Sequence, residues 1–195
     1  MSELKVNKIS PETGTAITLG DSGDTFTVPS GATIVNSGTA TGFGGGGKLL
    51  QVVSATKTDT ASNSNTSFTD ITGLSVSITP SETSSKVLII FNITANGNNA
   101  GSSLRIVRDS TAICVGNADG SRIQNTLSHS LGSGDDSRSH SANFLDSPST
   151  TSATTYKMQW RSNGNTDYLN RSNNDLNTTD YSRSTSTITV MEIGA

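Results

Sequence analysis

The chain has 195 residues, of which 31% are hydrophobic and 15% are charged, and its formal net charge is -3. The length favours one domain, or one domain with an appendage, over several cores, and the low charge argues against a disordered chain. With 13 Lys and Arg against 16 Asp and Glu and no basic run, the composition also argues against nucleic-acid binding. The remaining bulk of Ser, Thr, Asn and Gly suits turns and solvent-facing strand positions, so we expect a β-rich extracellular or fibrous protein.

The low apolar content predicts a thin core, so we expect an obligate oligomer. Cys114 is the one cysteine, which excludes an intrachain disulfide, and within TAICVG we interpret it as a small buried hydrophobe. The N-terminus MSELKVNKIS lacks an apolar signal core, and the longest apolar run, Val87 to Phe91, is too short to cross a bilayer. We therefore expect synthesis in a cytoplasm and no membrane insertion.

Short strands separated by turns are predicted in the first 40 residues. The stretches LKVNKIS, TAITLG, TFTVPSG and ATIVNSG read as strands, and PETG and DSGD read as turns between them. Strands this short do not fold alone, so they need partner chains. Residues 1–40 are thus predicted to form a β-stranded segment that is intertwined with partner chains.

A glycine-rich joint is predicted over residues 41–48. The stretch GFGGGGKL comes within one residue of the phosphate-binding pattern G-x-x-x-x-G-K-[ST], because Gly42, Gly47 and Lys48 fit it. Leu49 offers no oxygen to a metal, and LLQVV predicts a strand where a phosphate loop needs a helix. We therefore interpret the segment as a joint and expect no cofactor. Its predicted hinge residues are Gly44, Gly45, Gly46 and Gly47.

About ten strands are predicted in a C-terminal head, residues 49–195. They are LLQVVSAT, TSFTDI, LSVSIT, KVLIIFNITA, SLRIVRD, TAICVG, SANFLDS, TTYKMQW, TDYLN and STITVMEI. Regular short strands with polar turns predict an antiparallel β-sandwich or barrel. KVLIIFNITA is apolar on both faces, which places it centrally, and the last strand, Thr187 to Ile193, is expected inside a sheet or at a subunit interface. Removing Met191 to Ala195 should therefore unfold or disassemble the protein.

No pattern in the chain specifies an enzyme. His129 and His140 flank two aspartates and offer a metal-site alternative, but their loose spacing in a Ser- and Gly-rich stretch favours a solvated loop. Neither histidine lies near a G-x-S-x-G nucleophile. The run Asn173 to Asp175 lacks the distal Glu of a calcium loop. We therefore predict no catalytic, cofactor-binding or metal-ligating residues.

A few aromatic side chains lie among amides near the C-terminus and suggest a sugar-binding surface. Rings can stack on the apolar face of a sugar while amides and carboxylates take its hydroxyls. The alternative is that the rings close the sandwich core, which burial statistics favour. The candidate glycan contacts are Trp160, Tyr168, Asn173, Asn174, Asp175 and Tyr181.

Two segments of the chain resemble virion structural proteins of marine bacteriophages. LKVNKISPETGTAITLGDSGDTFTVPSG, from Leu4 to Gly31, resembles the N-terminal segment of tail-fibre-like proteins of cyanobacterial phages, including the phrase GDSGDT…VPSG. LLQVVSATKTDTASNSNTSFTDITGLSVSITPSETSSKVLII, with SLRIVRDSTAI and FLDSPSTTSATTYKMQ, resembles a module of the same proteins. By strand pattern the head also resembles the trimeric jelly roll of the C1q and tumour-necrosis-factor class.

The resemblance implies a homotrimeric virion appendage on the tail or capsid surface, a short tail fibre or spike. Residues 1–31 would dock to other virion proteins, and the head would contact the host surface, with a cell-surface glycan as the expected ligand. The chain has no repeats, coiled coil or β-helix between anchor and head, so it departs from long fibres. The alternative is a capsid-decoration or tail-adaptor protein that stabilises the particle without binding a receptor.

Overall fold

A computed structural model of the chain describes residues 9, 11–17, 21–25, 27–33, 35, 47–97, 102–129 and 137–194. The chain divides into two units, Met1–Gly45 and Gly46–Ala195, and the division lies inside the predicted joint, residues 41–48. Within the described residues, no helix is long and apolar enough to span a membrane.

The described part of the N-terminal unit consists of turns and extended segments. Asp24 donates its backbone N–H to the carbonyl of Asp21 at 3.0 Å, and Ala32 donates to Pro29 at 3.0 Å. Gly23 and Gly31 have φ of +98° and +85° in these turns, a conformation that glycine adopts without strain. The predicted DSGD turn is therefore present. The described residues of 9–35 contain no paired strand in the single chain, and the intertwined strands stay a prediction about the assembly.

The C-terminal unit is an antiparallel β-sandwich of eleven strands within the described residues. The strands are β1 Leu49–Lys57, β2 Ala61–Asn63, β3 Thr69–Ile78, β4 Lys86–Gly97, β5 Ser102–Arg108, β6 Thr111–Ile113, β7 Leu127–His129, β8 Arg138–Asp146, β9 Thr154–Arg161, β10 Asp167–Leu169 and β11 Ser186–Ile193.

The two sheets have the strand order of a jelly roll. Sheet A runs β1-β11-β4, with β8 on the other edge of β4. Past the end of β11, the same edge of β4 pairs with β10, and β10 pairs with β2. Sheet B runs β3-β9-β5, with β6 and β7 following each other along the remaining edge of β5. Successive long strands thus alternate between sheets, as in a double Greek key. The predicted sandwich and the central position of β4 are confirmed.

One predicted boundary is wrong, because TSFTDI and LSVSIT belong to a single strand, β3. Its pairing with β9 shifts register between Asp70 and Ser75, and Gly73 lies within that shift with a φ of +92°. A glycine in this conformation forms a bulge that bends the strand and lets it continue. The short strands β2 and β7 were not predicted, since three residues carry too little alternation to identify a strand.

The core is formed by the alternate residues of both sheets that face inward. In β4 and β11 these include Ile89, Phe91, Ile93, Ile188 and Val190, all fully buried. Cys114 packs against this core at the end of β6, and burial raises the pKa of its thiol. The interpretation of Cys114 as a small hydrophobe agrees with this position.

A buried polar triad links the two sheets. Arg108 at the end of β5 donates to both carboxylate oxygens of Asp146 at the end of β8, at 2.8 and 3.0 Å. The Tyr156 hydroxyl of β9 donates to the same carboxylate at 2.7 Å. Burial, and then the bond to Asp146, raise the pKa of Tyr156. The triad therefore closes the space between the sheets with satisfied polar groups.

Candidate functional site

The segment that follows β10 contains most of the predicted glycan contacts, and a buried asparagine fixes its start. Asn170 has a φ of +58°, which asparagine tolerates better than most residues. Its side-chain amide donates to the carbonyls of Lys57 and Asp59, both at 2.9 Å, and its side-chain oxygen accepts from the Ser186 hydroxyl at 2.7 Å. These bonds attach the beginning of the segment to β1 and β11.

Asp175 organises the middle of the segment through two arginines. Arg183 donates from Nη1 to Oδ1 of Asp175 and from Nη2 to Oδ2 at 3.0 Å, a fork-on-fork pairing. Arg171 lies 3.7 Å from Asp175, and its Nη1 also donates to the carbonyls of Ser172 and Asn173 at 3.1 and 3.2 Å. The carboxylate is thus neutralised by side chains of this chain.

A cleft of about 250 Å³ lies beside this ion pair. It presents a carboxylate, a guanidinium, a phenol, an amide and two hydroxyls next to one exposed leucine. This combination suits an uncharged polyol, because the ion pair cancels its own charge and the remaining groups donate and accept hydrogen bonds. The lining residues are Asp175, Leu176, Asn177, Thr178, Tyr181, Ser182 and Arg183.

Only some of the predicted glycan contacts line this cleft. Asp175 and Tyr181 line the cleft, while Asn173 and Asn174 adjoin it in sequence. The Tyr168 ring lies under the Arg171 guanidinium, 4.0 Å from it, so a cation already occupies one face of that ring.

Trp160 does not lie on this surface. It is 3% exposed and belongs to the core, as the core alternative predicted. It lies near the end of β9, a strand in which every second residue is buried. Its ring is therefore unavailable for stacking on a sugar.

The sequence pattern missed the residues that complete the cleft, above all Arg183. It pairs with Asp175 across eight residues of irregular chain, and neither strand nor helix periodicity relates positions in such a segment. Leu176 was also missed. An exposed leucine between polar residues carries no distinguishing signal in the sequence.

The outer face of sheet A carries one apolar row across four strands, followed by two rows that are mainly polar but uncharged. Met191 pairs with Val52 on one side and Leu88 on the other, and Leu88 pairs with Leu145. Val52 and Leu145 are 52% and 49% exposed. We call this row the apolar stripe. The next row, Ser54–Thr189–Ile90–Asn143, and the one after it, Thr56–Thr187–Asn92–Ser141, carry no charge either.

The outer face of sheet B has the opposite character. Asp70 of β3 accepts from Lys157 at 2.8 Å and from Gln159 at 2.6 Å, both on β9. Gln159 in turn accepts from Nε of Arg105 on β5 at 2.8 Å, and the Arg105 guanidinium lies 3.9 Å from the ring of Phe68. Bonds from Lys157 and then Gln159 lower the pKa of Asp70. Charged side chains that hydrogen-bond to one another in this way are compatible with exposure of the outer face of sheet B to water.

The glycine-rich joint does not resemble a phosphate loop in its described part. The Lys48 carbonyl accepts the N–H of Gly194 at 2.8 Å, and strand β1 begins directly afterwards. A Cβ placed on Gly47 would lie 2.9 Å from the Gly194 carbonyl oxygen and would overlap the Ile193 side chain. Gly47 therefore packs against the end of β11, while Gly42 and the hinge positions Gly44, Gly45 and Gly46 lie outside the described residues.

The histidines are on separate sheets. His129 ends β7 in sheet B, and His140 pairs with Ile93 in sheet A. Within the residues that the structure describes, no three His, Cys, Asp or Glu side chains form a group that would hold a metal ion.

No protein-family model matches the chain, and no curated protein matches it. The function must therefore be inferred from the geometry and the sequence pattern.

Proposed function

We propose that the protein is a virion structural protein of a bacteriophage, a short tail fibre or spike that assembles as a homotrimer and acts by binding alone. In this proposal residues 1–31 dock to other virion proteins, and the C-terminal head contacts a host-surface glycan. The observation that carries it is the apolar stripe on the outer face of sheet A, with two uncharged rows beside it. The resemblance of the N-terminal segment to phage tail-fibre-like proteins supplies the setting.

The apolar stripe supports association between copies of the head. Contiguous exposed apolar patches are rare on monomeric proteins and mark interaction surfaces. Burying a Val or Leu side chain completely is worth roughly 1.5–3 kcal/mol, so the half-exposed Val52 and Leu145 would each contribute about 1 kcal/mol when covered. Absence of charge from the next two rows removes the desolvation cost that ionised groups would add.

The dimensions of this face favour a closed ring over a simple pair. Four strands spaced about 4.8 Å apart and three rows spaced about 6.8 Å apart cover roughly 400 Å². A stable interface buries about 800 Å² on each partner, so one flat contact is too small. In a trimer each head contacts two neighbours, and the edges β1 and β8 add to the buried area.

The oligomeric state of the full chain tests the assembly. Three copies of the 20.1 kDa chain give a particle of about 60 kDa in size-exclusion chromatography with light scattering. Val52→Lys places a charge in the apolar stripe and should yield monomers, whereas Ser75→Lys, on the outer face of sheet B, should leave the trimer intact. A monodisperse wild-type monomer at micromolar concentration would contradict the proposal, as would a Val52→Lys trimer.

Receptor binding by the head is proposed for the cleft beside Asp175. Weak glycan contacts on three heads and several copies per virion would multiply into useful avidity. Tyr181→Ala removes the ring that lines the cleft and should reduce phage adsorption while particles remain intact. Leaky or misassembled particles on deletion of the protein, with adsorption unchanged in Tyr181→Ala, would favour the alternative of a decoration or adaptor protein.

A further inference from the structure

A second cleft, of about 550 Å³, lies at one end of sheet B. It is formed where the start of β5, the segment between β6 and β7, and the end of β9 meet. Its lining includes three serines, two asparagines and two arginines, together with an exposed isoleucine. Among these residues are Ser103, Ser121, Arg122, Asn125, Ser128 and Arg161.

The floor of this cleft is held by hydrogen bonds. Asn125 donates from Nδ2 to the hydroxyls of Ser103 and Ser128, both at 2.9 Å. The neighbouring Thr126 donates its N–H to the Leu104 carbonyl at 2.9 Å, which attaches this part of the chain to β5. The exposed Ser128 hydroxyl accepts one of these bonds and still carries its own proton. The floor therefore presents polar groups in a fixed arrangement.

Two guanidinium groups line the cleft, and none of its described lining residues is a carboxylate. Arg161 is oriented by the bond from its Nε to the Thr66 carbonyl at 2.8 Å. Arg122 pairs with Asp119 at 2.7 Å, but these side chains are 74% and 72% exposed. Exposed ion pairs are worth about 0–1 kcal/mol, so an incoming anion can compete for Arg122.

The charge of this cleft is opposite to that of the chain. The net charge is -3, so the protein as a whole does not attract polyanions. The cleft beside Asp175 contains an arginine whose charge is cancelled by its carboxylate partner. The linings of the two clefts therefore differ. One contains an arginine and its carboxylate partner, and the other contains two arginines, of which Arg122 is paired with Asp119 outside the lining.

We propose that this second cleft binds an acidic saccharide, a sugar unit that carries a carboxylate or sulfate group. The guanidinium groups of Arg122 and Arg161 would bind the acidic group with charge-assisted hydrogen bonds. The amide and hydroxyls of the floor would bind ring hydroxyls, and the exposed Ile123 would contact the apolar face of the ring. This site requires only the folded head, so it is independent of the proposed trimer and of the cleft beside Asp175.

The test measures binding of the full-length protein to polygalacturonate and dextran sulfate, with uncharged dextran as the matched polymer. We expect binding to at least one acidic polymer and none to dextran. Sodium sulfate, added at an ionic strength equal to that of the acidic polymer, should not abolish the binding, because a free sulfate ion lacks the sugar contacts. Failure of both acidic polymers to bind, equal binding of dextran, or complete displacement by sodium sulfate would overturn the proposal.

Two substitutions locate the site. Arg122→Gln should weaken binding roughly tenfold, the value of one charge-assisted hydrogen bond, and Ser121→Asp should weaken it further by adding a negative charge. Arg183→Gln is the matched control, since it removes an exposed arginine that is also paired with a carboxylate, but in the other cleft. Equal losses in Arg122→Gln and Arg183→Gln, or unchanged binding in Ser121→Asp, would contradict the assignment. Unchanged thermal unfolding confirms that the variants are folded.

Discussion

Replacing Glu192 with glutamine should destabilise the head at neutral pH and much less in acid. Glu192 lies in β11, is fully buried, and accepts hydrogen bonds from Gln51 and from the backbone N–H and hydroxyl of Ser81, the last two at 2.7 and 2.6 Å. Burial opposes ionisation of this carboxyl, but the bonds from Gln51 and Ser81 outweigh it and lower its pKa from 4.5 to about 2.

The magnitude follows from this pKa. A fall from 4.5 to about 2 corresponds to roughly 3 kcal/mol in favour of the folded state when the carboxyl is ionised. Ser81 is exposed and Gln51 half-buried, so water screens the interaction, and we expect about 2 kcal/mol. Because the folded pKa is the lower one, this stability is present above pH 4.5, falls as the pH approaches 2, and is more than half lost by about pH 3.

Urea unfolding at fixed protein concentration measures the effect, since assembly would shift the apparent stability. Glu192→Gln should lose about 2 kcal/mol at pH 7, and its difference from the wild type should shrink at pH 3. Glu82→Gln is the control, because Glu82 is an exposed glutamate in the segment before β4; such a change alters stability by less than about 0.5 kcal/mol. A Glu192→Gln variant as stable as the wild type at pH 7, or a difference that does not change with pH, would refute the reasoning.

Three further substitutions test the packing of the head. Trp160→Ala should cost about 3–5 kcal/mol in urea unfolding because it empties a core position, and a loss smaller than 1 kcal/mol would contradict the burial of this ring. Tyr156→Phe should cost about 1–3 kcal/mol by removing a donor to the buried carboxylate of Asp146; thermal unfolding against a Tyr181→Phe control measures it. Gly47→Ala should lower the melting temperature because its Cβ would clash with the end of β11, whereas Gly116→Ala should not, since a Cβ there meets no atom within 4 Å; equal melting temperatures for both variants would refute this.

The fold was predictable to the extent that alternation along the strands reports which residues face the core. β11 shows this well, since alternation puts Ile188, Val190 and Glu192 on one face, and these three residues are fully buried. β4 was placed centrally because both of its faces are apolar, and it pairs with β11, β8 and β10. The strand order could not be read in this way, because alternation says nothing about which strand is the neighbour.

The candidate site was only partly predictable, because its contacts join positions far apart in sequence. Asn170 was one of many asparagines in a polar segment, and its role depends on carbonyls of Lys57 and Asp59, more than a hundred residues earlier. The separation of Trp160 from Tyr181 likewise depends on which face of β9 meets the core. Residue type suggested sugar binding for both, whereas burial differs between them.

The low apolar content of the chain is reflected in a head that buries many polar side chains. Within the described residues, buried polar side chains are nearly as numerous as buried apolar ones, and groups such as Asp146, Asn170 and Glu192 are held by several hydrogen bonds each. Such groups add little net stability but are costly to leave unpaired, so they favour one arrangement of the strands over others. In a chain with so few apolar residues, their presence on the outer face of sheet A requires an explanation. The head leaves Val52 and Leu145 exposed while it buries the carboxylates of Asp146 and Glu192. Burial of the outer face of sheet A against other copies of the chain would account for the exposed position of Val52 and Leu145.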